Sequence, residues 1–189
     1  MSEQPIIAFS SAAAFHLWLT RHHLDHPGIW LKIAKKASGI PTVTYAEALD
    51  EALCHGWIDG QRKSFDETAF LQKFTPRGKR SVWSKTNVGH VARLENEGRM
   101  KPAGLAAVTA AKADGRWEAA YQSFSTAEMP KDFLVALSRE PQAKAFLGTL
   151  NKTQRYSLIY RITTAKKPET RCKRIADFVA MLKRGETLR

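Results

Sequence analysis

The sequence lacks the short motifs that define several common enzyme classes. It contains no G-x-S-x-G, no Walker-type glycine loop, no dinucleotide-binding G-x-G-x-x-G and no H-E-x-x-H. These motifs supply, in turn, a serine nucleophile, a phosphate cradle, a pyrophosphate-binding turn and a zinc site with its general base. The hydrolases, kinases, dehydrogenases and zinc proteases that carry them therefore have no support. Whether the chain is an enzyme stays open.

Cysteines and long apolar runs are also scarce. The chain has two cysteines, Cys54 and Cys172, far apart in the sequence. No apolar run approaches the roughly 18 residues that a membrane helix requires. The N-terminal segment has no basic residue ahead of its apolar part, which is unlike a secretory signal. The sequence therefore predicts reduced thiols, a cytoplasmic protein and no membrane insertion.

What the chain has in excess is positive charge. The 189 residues carry a formal net charge of +12, and 43% of them are hydrophobic, which is typical of a globular protein. Counted by segment, residues 61–101 carry +6 and residues 151–189 carry +8, whereas residues 102–150 are balanced. Segregated charge of this kind indicates an anionic partner. The alternative is that the C-terminal charge is a solvated helical surface.

Local signals predict both strands and helices. Residues 29–36 alternate as a strand does. Thr44 and Glu47 have the T-x-x-E spacing of a capping box, and the helix that they open should end at Gly56. The segments WIDGQRK and AFLQKFT read as two strands of an antiparallel hairpin, and the segments after Ser84 have helical spacing.

These elements predict an α+β fold. We expect an N-terminal α+β lobe, residues 1–98, in which helices accompany a small antiparallel sheet. An all-helical lobe, residues 99–189, should follow and pack on it as one compact unit. The chain shows no internal repeat, no low-complexity tract and no linker that would separate the two lobes.

The stretch FTPRGKRSVWSKTN, residues 74–87, is the first candidate for a binding site. It holds four Lys or Arg residues and no acid. Arginine forks bind phosphate or carboxylate through two bonds, a helix that starts at Ser84 favours an anion, and tryptophan offers a flat surface to a ring. The basic C-terminal helix supplies further cations that can complete the same pocket.

We therefore expect a basic cleft that contains tryptophan and binds a small anion. Asp59 should orient an arginine within it. In the alternative interpretation both tryptophans are core residues, Asp59 forms a salt bridge and the rest is surface. The expected ligand-binding residues are Trp57, Asp59, Lys63, Thr75, Arg77, Arg80, Trp83, Ser84, Lys85, Asn87, Lys166, Arg171 and Arg174.

The N-terminal histidines suggest a metal site, but their spacing does not support one. His16, His22, His23 and His26 follow the pattern H-x5-HH-x2-H, with no nearby cysteine or repeated acid. The pattern also straddles a predicted helix end, so the signal for zinc is weak and these histidines are read as solvated or capping residues. His55 directly follows Cys54, and neighbours on a helix do not face each other, so they form no nucleophile–base pair. We expect no metal and no cofactor.

Four segments resemble one known family. TVTYAEALDEALCHGWIDGQRK (42–63), FTPRGKRSVWSKTN (74–87), EGRMKPAGLAAVTAAKADGRW (97–117) and AKKPETRCKRI (165–175) occur in the order and spacing of the YdeI/OmpD-associated family, whose name includes bacteriocin protection. The resemblance implies a bacterial protein with stress-resistance and outer-membrane associations, and it carries no defined reaction or catalytic residue. Association with an outer-membrane protein would require contact with the periplasm, and the sequence shows no export signal.

Two functions from different classes remain. The first is a stress-associated protein of this family that binds a small phosphate- or carboxylate-bearing ligand. The second is a nucleic-acid-binding module that uses the basic segments 73–93 and 151–184 on phosphates and aromatic side chains for stacking. The aromatic residues do not follow the common RNA-binding sheet motif, and no helix-turn-helix pattern is present.

Overall fold

The computed structural model describes residues 4–124 and 126–188. Strands and helices mix in the first part of the chain, and helices alone follow. The strands are β1 Ile6–Ala8, β2 Ile29–Ala34, β3 Trp57–Ser64 and β4 Ala69–Pro76. The α-helices are α1 Ala12–His22, α2 Tyr45–Cys54, α3 Lys85–Asn96, α4 Pro102–Ala113, α5 Lys131–Ser138, α6 Pro141–Thr149, α7 Lys152–Thr163 and α8 Pro168–Lys183. The α+β class is confirmed.

The four strands form one sheet in the order β1-β2-β4-β3. The predicted hairpin of β3 and β4 is present, and β2 also pairs antiparallel with β4. The sheet is nevertheless mixed rather than antiparallel throughout, because β1 pairs parallel with β2. A three-residue strand is too short to show alternation, and its partner is remote in sequence, so local patterns did not reveal it.

The helix signals around α2 are confirmed. The Thr44 hydroxyl accepts the Glu47 N–H, and the Glu47 carboxylate accepts the Thr44 N–H, which completes the capping box. Gly56 ends the helix with φ +74°, a conformation that glycine adopts without a Cβ clash. The first helix is capped by Ser11 and ends at His22, five residues before Pro27.

One core lies between the inner face of the sheet and helices α1 and α2. Phe15 and Leu19 of α1 are fully buried against Ile29 and Leu31 of β2. Trp57, the first residue of β3, belongs to the same core. Burial of such side chains contributes roughly 1.5–3 kcal/mol each.

The chain divides into two units. The first takes in the chain up to Trp83 together with Asn87–Glu118, and the second takes in Ser84–Thr86 and the chain from Ala119 onward. Within the first unit, α4 approaches α2 so closely that a Cβ on Gly104 would lie 2.3 Å from the Cys54 carbonyl oxygen. A glycine is therefore required there.

The second unit has its own core, formed by α5 to α8. Phe133, Leu158, Ile162 and Leu182 are its central members. Cys172 of α8 lies outside this core, and its side chain is exposed. Among the described residues, no helix combines the length and apolar character needed to cross a membrane.

Candidate functional site

A cleft with a volume of about 340 Å³ lies in the first unit, between the turn after β4 and helix α4. Cationic side chains come mainly from the turn, and small apolar ones come from the helix. The lining residues are Arg77, Gly78, Lys79, Ala107, Ala110, Asp114 and Arg116. The cleft therefore combines positive charge with an apolar wall.

Arg77 is held in place by an aromatic ring. Its guanidinium carbon lies 3.4 Å from the centroid of the Trp83 ring. Trp83 is only 2% exposed and meets Trp117 edge-on at 4.8 Å, so the platform beneath the arginine is rigid. The Arg77 backbone N–H donates to the Gly56 carbonyl at 2.9 Å, and its Nη1 donates to the Val82 carbonyl at 3.2 Å. A cation–π contact of this kind is typically worth 0.5–2 kcal/mol.

Arg116 is fixed from the other side of the cleft. Its Nε donates to both carboxylate oxygens of Asp114 at 2.8 Å, and its Nη1 donates to the Ser81 carbonyl at 3.0 Å. The side chain of Arg116 is 14% exposed. Two arginines thus bond two successive carbonyls of the 81–82 segment, which orders the turn.

The electrostatic balance of the cleft is positive. Arg77, Lys79 and Arg116 face one carboxylate, that of Asp114. An arginine that is already ordered loses little side-chain entropy when it binds a ligand. The arrangement suits an anion that also presents an apolar or planar surface.

Several predicted site residues lie elsewhere in the first unit. Trp57 is fully buried in the core, where its Nε1 donates to the His23 carbonyl at 3.0 Å. The Lys63 Nζ lies over the Trp30 ring, 4.2 Å from its centroid. Thr75 lies in β4, and its side chain packs closely against Gly28.

We expected Asp59 to pair with an arginine, and it does not. Its carboxylate accepts the Tyr45 hydroxyl at 2.7 Å. No ion pair joins it to Arg77 or Arg80 within the part of the chain that the structure describes. Arg80 is exposed in the turn and does not line the cleft. Asn87 is buried in the first turn of α3.

The remaining predicted residues belong to the second unit. Ser84 forms a β-bridge with Tyr121, and the Lys85 N–H donates to the Tyr121 carbonyl at 2.8 Å. Lys166 lies before α8 and is exposed, and the Arg174 guanidinium donates to the Arg161 carbonyl.

Arg171 has a structural role in the second unit. Its guanidinium binds both carboxylate oxygens of Asp132 at 2.7 and 2.9 Å, and its Nη1 donates to the Ile162 carbonyl at 3.0 Å. The hydrogen bonds from Arg171 hold the pKa of the Asp132 carboxyl below its ordinary value. This pair ties α8 to the start of α5.

Sequence reasoning identified Arg77 and Trp83 but missed Arg116, Asp114 and the alanines of α4. The signal for the first two was local, in one dense basic stretch. The others lie some thirty residues later, in the alanine-rich helix α4 and in the turn that follows it, and neither segment gives a local sign of a ligand site.

Two family models match the chain. Residues 7–107 match the model described as a domain of unknown function (DUF8412), and residues 126–185 match the one described as bacteriocin-protection, YdeI or OmpD-associated. The second match is partial and supports the resemblance seen in the sequence; of the four segments quoted for it, the match contains 165–175. No curated protein and no solved structure matches the chain.

Proposed function

We propose that this chain, which belongs to the family of the domain of unknown function (DUF8412) and carries a partial YdeI/OmpD-associated match, binds a small anionic ligand. The site is the cleft between the turn after β4 and helix α4. The observation that carries the proposal is the Arg77 guanidinium, stacked at 3.4 Å on a buried tryptophan and placed in the cleft wall. Bacteriocin protection, the role in the description of the YdeI/OmpD-associated family, is the setting in which such binding would act.

The class of ligand follows from the lining. Planar guanidinium groups recognise phosphate and carboxylate through paired hydrogen bonds, whereas Lys79 supplies a mobile point charge. Ala107 and Ala110 offer methyl groups to an apolar part of the ligand. A phosphate or carboxylate attached to a ring should therefore bind more tightly than the bare ion.

The test is isothermal titration calorimetry at low salt with inorganic phosphate, pyrophosphate, ADP and an acidic peptide. Lys79→Ala should weaken binding, because a hydrogen bond to a charged group contributes about 1.5–3 kcal/mol, or roughly 10- to 150-fold in Kd. Arg77→Lys keeps the charge but loses the planar group that stacks on Trp83, so its affinity, read beside its melting temperature, reports what the ordered guanidinium contributes.

Arg80→Ala is the matched control, since it removes one positive charge from the same turn without touching the cleft lining. Its affinity should stay close to that of the wild type. If Lys79→Ala and Arg80→Ala weaken anion binding equally, the binding depends on overall positive charge and not on the cleft, which contradicts the proposal. If none of the four probes binds, the proposal is refuted.

Nucleic-acid binding is a second candidate, and one feature of the sheet favours it. Trp30 of β2 is only partly buried, and the Nζ atoms of Lys63 and Lys73 lie 4.2 and 5.7 Å from its ring centroid. A ring flanked by cations can stack a base while the cations meet phosphates.

Fluorescence anisotropy with labelled single-stranded RNA separates the two candidates. RNA binding on the sheet should fall in Trp30→Ala and in Lys63→Ala and should weaken steeply with salt. Lys79→Ala should leave that binding largely intact. Binding that depends on Lys79 but not on Trp30 would assign the RNA to the cleft instead.

A further inference from the structure

A second group of functional side chains lies in the first unit and shares no residue with the cleft. His16 comes from α1, Glu51 comes from the last turn of α2, and His55 caps that helix. One ligand atom from each lies within 4.8 Å of the other two. This is the single candidate metal-binding group of His, Cys, Asp and Glu found among residues 4–124 and 126–188.

Helix geometry brings these side chains together. Glu51 and His55 are four residues apart, so they share one face of α2, and that face meets α1. His16 Nδ1 lies 2.7 Å from Glu51 Oε2. Glu51 and His55 are 8% and 3% exposed, whereas the His16 side chain is 32% exposed, so solvent reaches the group at His16.

The hydrogen bonds behind His55 fix which nitrogen can bind an ion. Its Nδ1 lies 3.0 Å from the Glu51 carbonyl oxygen, which only accepts, so Nδ1 carries the proton and Nε2 carries the lone pair. Metal-binding imidazoles are usually oriented by such a bond. Nε2 is 3.4 Å from the Thr20 hydroxyl oxygen, but that hydroxyl has one proton and donates it to the His16 carbonyl at 2.9 Å. The Nε2 lone pair therefore accepts at most a weak hydrogen bond from Thr20.

The carboxylate is oriented in the same way. Arg99 Nη2 donates to Glu51 Oε1 at 2.6 Å, which leaves Oε2 on the side of the histidines. Arg99 also contacts Asp50 and Glu97, and Arg93 binds both of these acids. Three carboxylates and two guanidinium groups thus form one network, which holds Glu51 in place.

We propose that His16, Glu51 and His55 bind a divalent transition-metal ion, zinc in the first place, with water in the fourth position. Two imidazoles and one carboxylate form a donor set of zinc sites that keep an open position. Magnesium and calcium prefer oxygen ligands alone. The site is independent of the anion cleft.

The geometry needs little adjustment. Ligand atoms at 2.0–2.1 Å from a tetrahedral zinc ion stand roughly 3.4 Å apart. The 2.7 Å contact between His16 and Glu51 must open, and the widest separation, up to 4.8 Å, must close. His16 is the most exposed of the three side chains and is therefore the one expected to rotate.

The first test is calorimetric titration of the chelator-treated full chain with Zn²⁺, together with measurement of bound metal. One ion per chain is expected. Loss of an outer-shell partner alone costs about 10–100-fold in metal affinity, so His16→Gln and His55→Gln should each cost at least about tenfold. Glu51→Gln keeps an acceptor for Arg99 but removes the charge, and it should show a similar loss.

His22→Gln is the matched control, because His22 lies on the same helix and packs against Trp18 rather than in the group. Its zinc affinity should be unchanged. Equal losses in His22→Gln and His16→Gln, or no loss in any of the three variants, would overturn the proposal. Melting curves of the metal-free variants separate a lost ligand from a lost fold.

Cobalt(II) gives a readout that needs no variant. Wild-type protein with one equivalent of Co²⁺ should show the intense visible bands of a tetrahedral ion, and Zn²⁺ should abolish them by competition. A weak octahedral spectrum would overturn the proposal, whatever the variants do.

Discussion

Replacing Gly104 by alanine should destabilise the first unit, although alanine is the better helix former. The new Cβ would lie 2.3 Å from the Cys54 carbonyl oxygen and 2.8 Å from both the Cys54 carbonyl carbon and the Leu53 oxygen. These are backbone atoms, so no side chain can rotate away. Helix α4 would have to move by about 1 Å to reach an ordinary contact distance, and overpacking of this kind typically costs 1–3 kcal/mol.

Gly89→Ala provides the matched control. Gly89 also lies inside a helix, α3, and a Cβ there would meet nothing within 4 Å. Both substitutions gain roughly 1 kcal/mol of helix propensity. The propensity gain therefore cancels in the comparison, and the difference between the two variants measures the overpacking cost, expected at about 1–3 kcal/mol.

Tryptophan fluorescence makes the assay specific. The five tryptophans, Trp18, Trp30, Trp57, Trp83 and Trp117, all belong to the first unit. Thermal melts excited at 295 nm should place Gly104→Ala below Gly89→Ala by roughly 2–12 °C, at 2–4 °C per kcal/mol for a chain of this size. Coincident melts would refute the close α2–α4 contact. Because α4 lines the cleft, Gly104→Ala should weaken anion binding as well.

Three further outcomes are expected. Leu182→Ala, which empties a fully buried position in the second unit, should cost about 2–5 kcal/mol in denaturant unfolding followed by far-UV circular dichroism; a loss below 1 kcal/mol would contradict the packing of α8. A thiol reagent at pH 8 should label Cys172 in the native chain and Cys54 only after denaturation, because burial raises the pKa of the Cys54 thiol to about 11; two labelled thiols in native protein would contradict this. Since Arg171 depresses the pKa of Asp132 in the folded state, that carboxylate stabilises the fold above its unfolded pKa and ceases to do so as pH falls through the folded value. Asp132→Asn should therefore flatten the decline in melting temperature below pH 4, and an unchanged slope would argue against the pair.

The sequence was informative wherever a signal is local. The capping box at Thr44, the stop at Gly56 and the hairpin of β3 and β4 each depend on residues that are near each other in the sequence, and all three are confirmed. Strand β1 was missed because its pairing with β2 spans a whole helix.

The candidate sites show the same division. Arg77 stood out because basic residues crowd the 74–87 stretch, whereas Arg116 reaches the cleft only through the packing of α4. The histidines were judged by their spacing within one segment. His16 and His55 come together because α1 and α2 pack side by side, and Glu51 completes the group from the second helix.

The interleaved order of the two units has a consequence for synthesis on the ribosome. Strands and helices through Pro76 can assemble early, but α4, whose Gly104 covers the end of α2, is made later. The bridge of Ser84 must wait longer still, because its partner is Tyr121. At 5–20 residues per second, adding the roughly forty residues from Arg77 to Ala113, the end of α4, takes about 2–8 seconds. For that interval the nascent chain presents an uncovered α2 end, the stage at which a ribosome-associated chaperone would find apolar surface to hold.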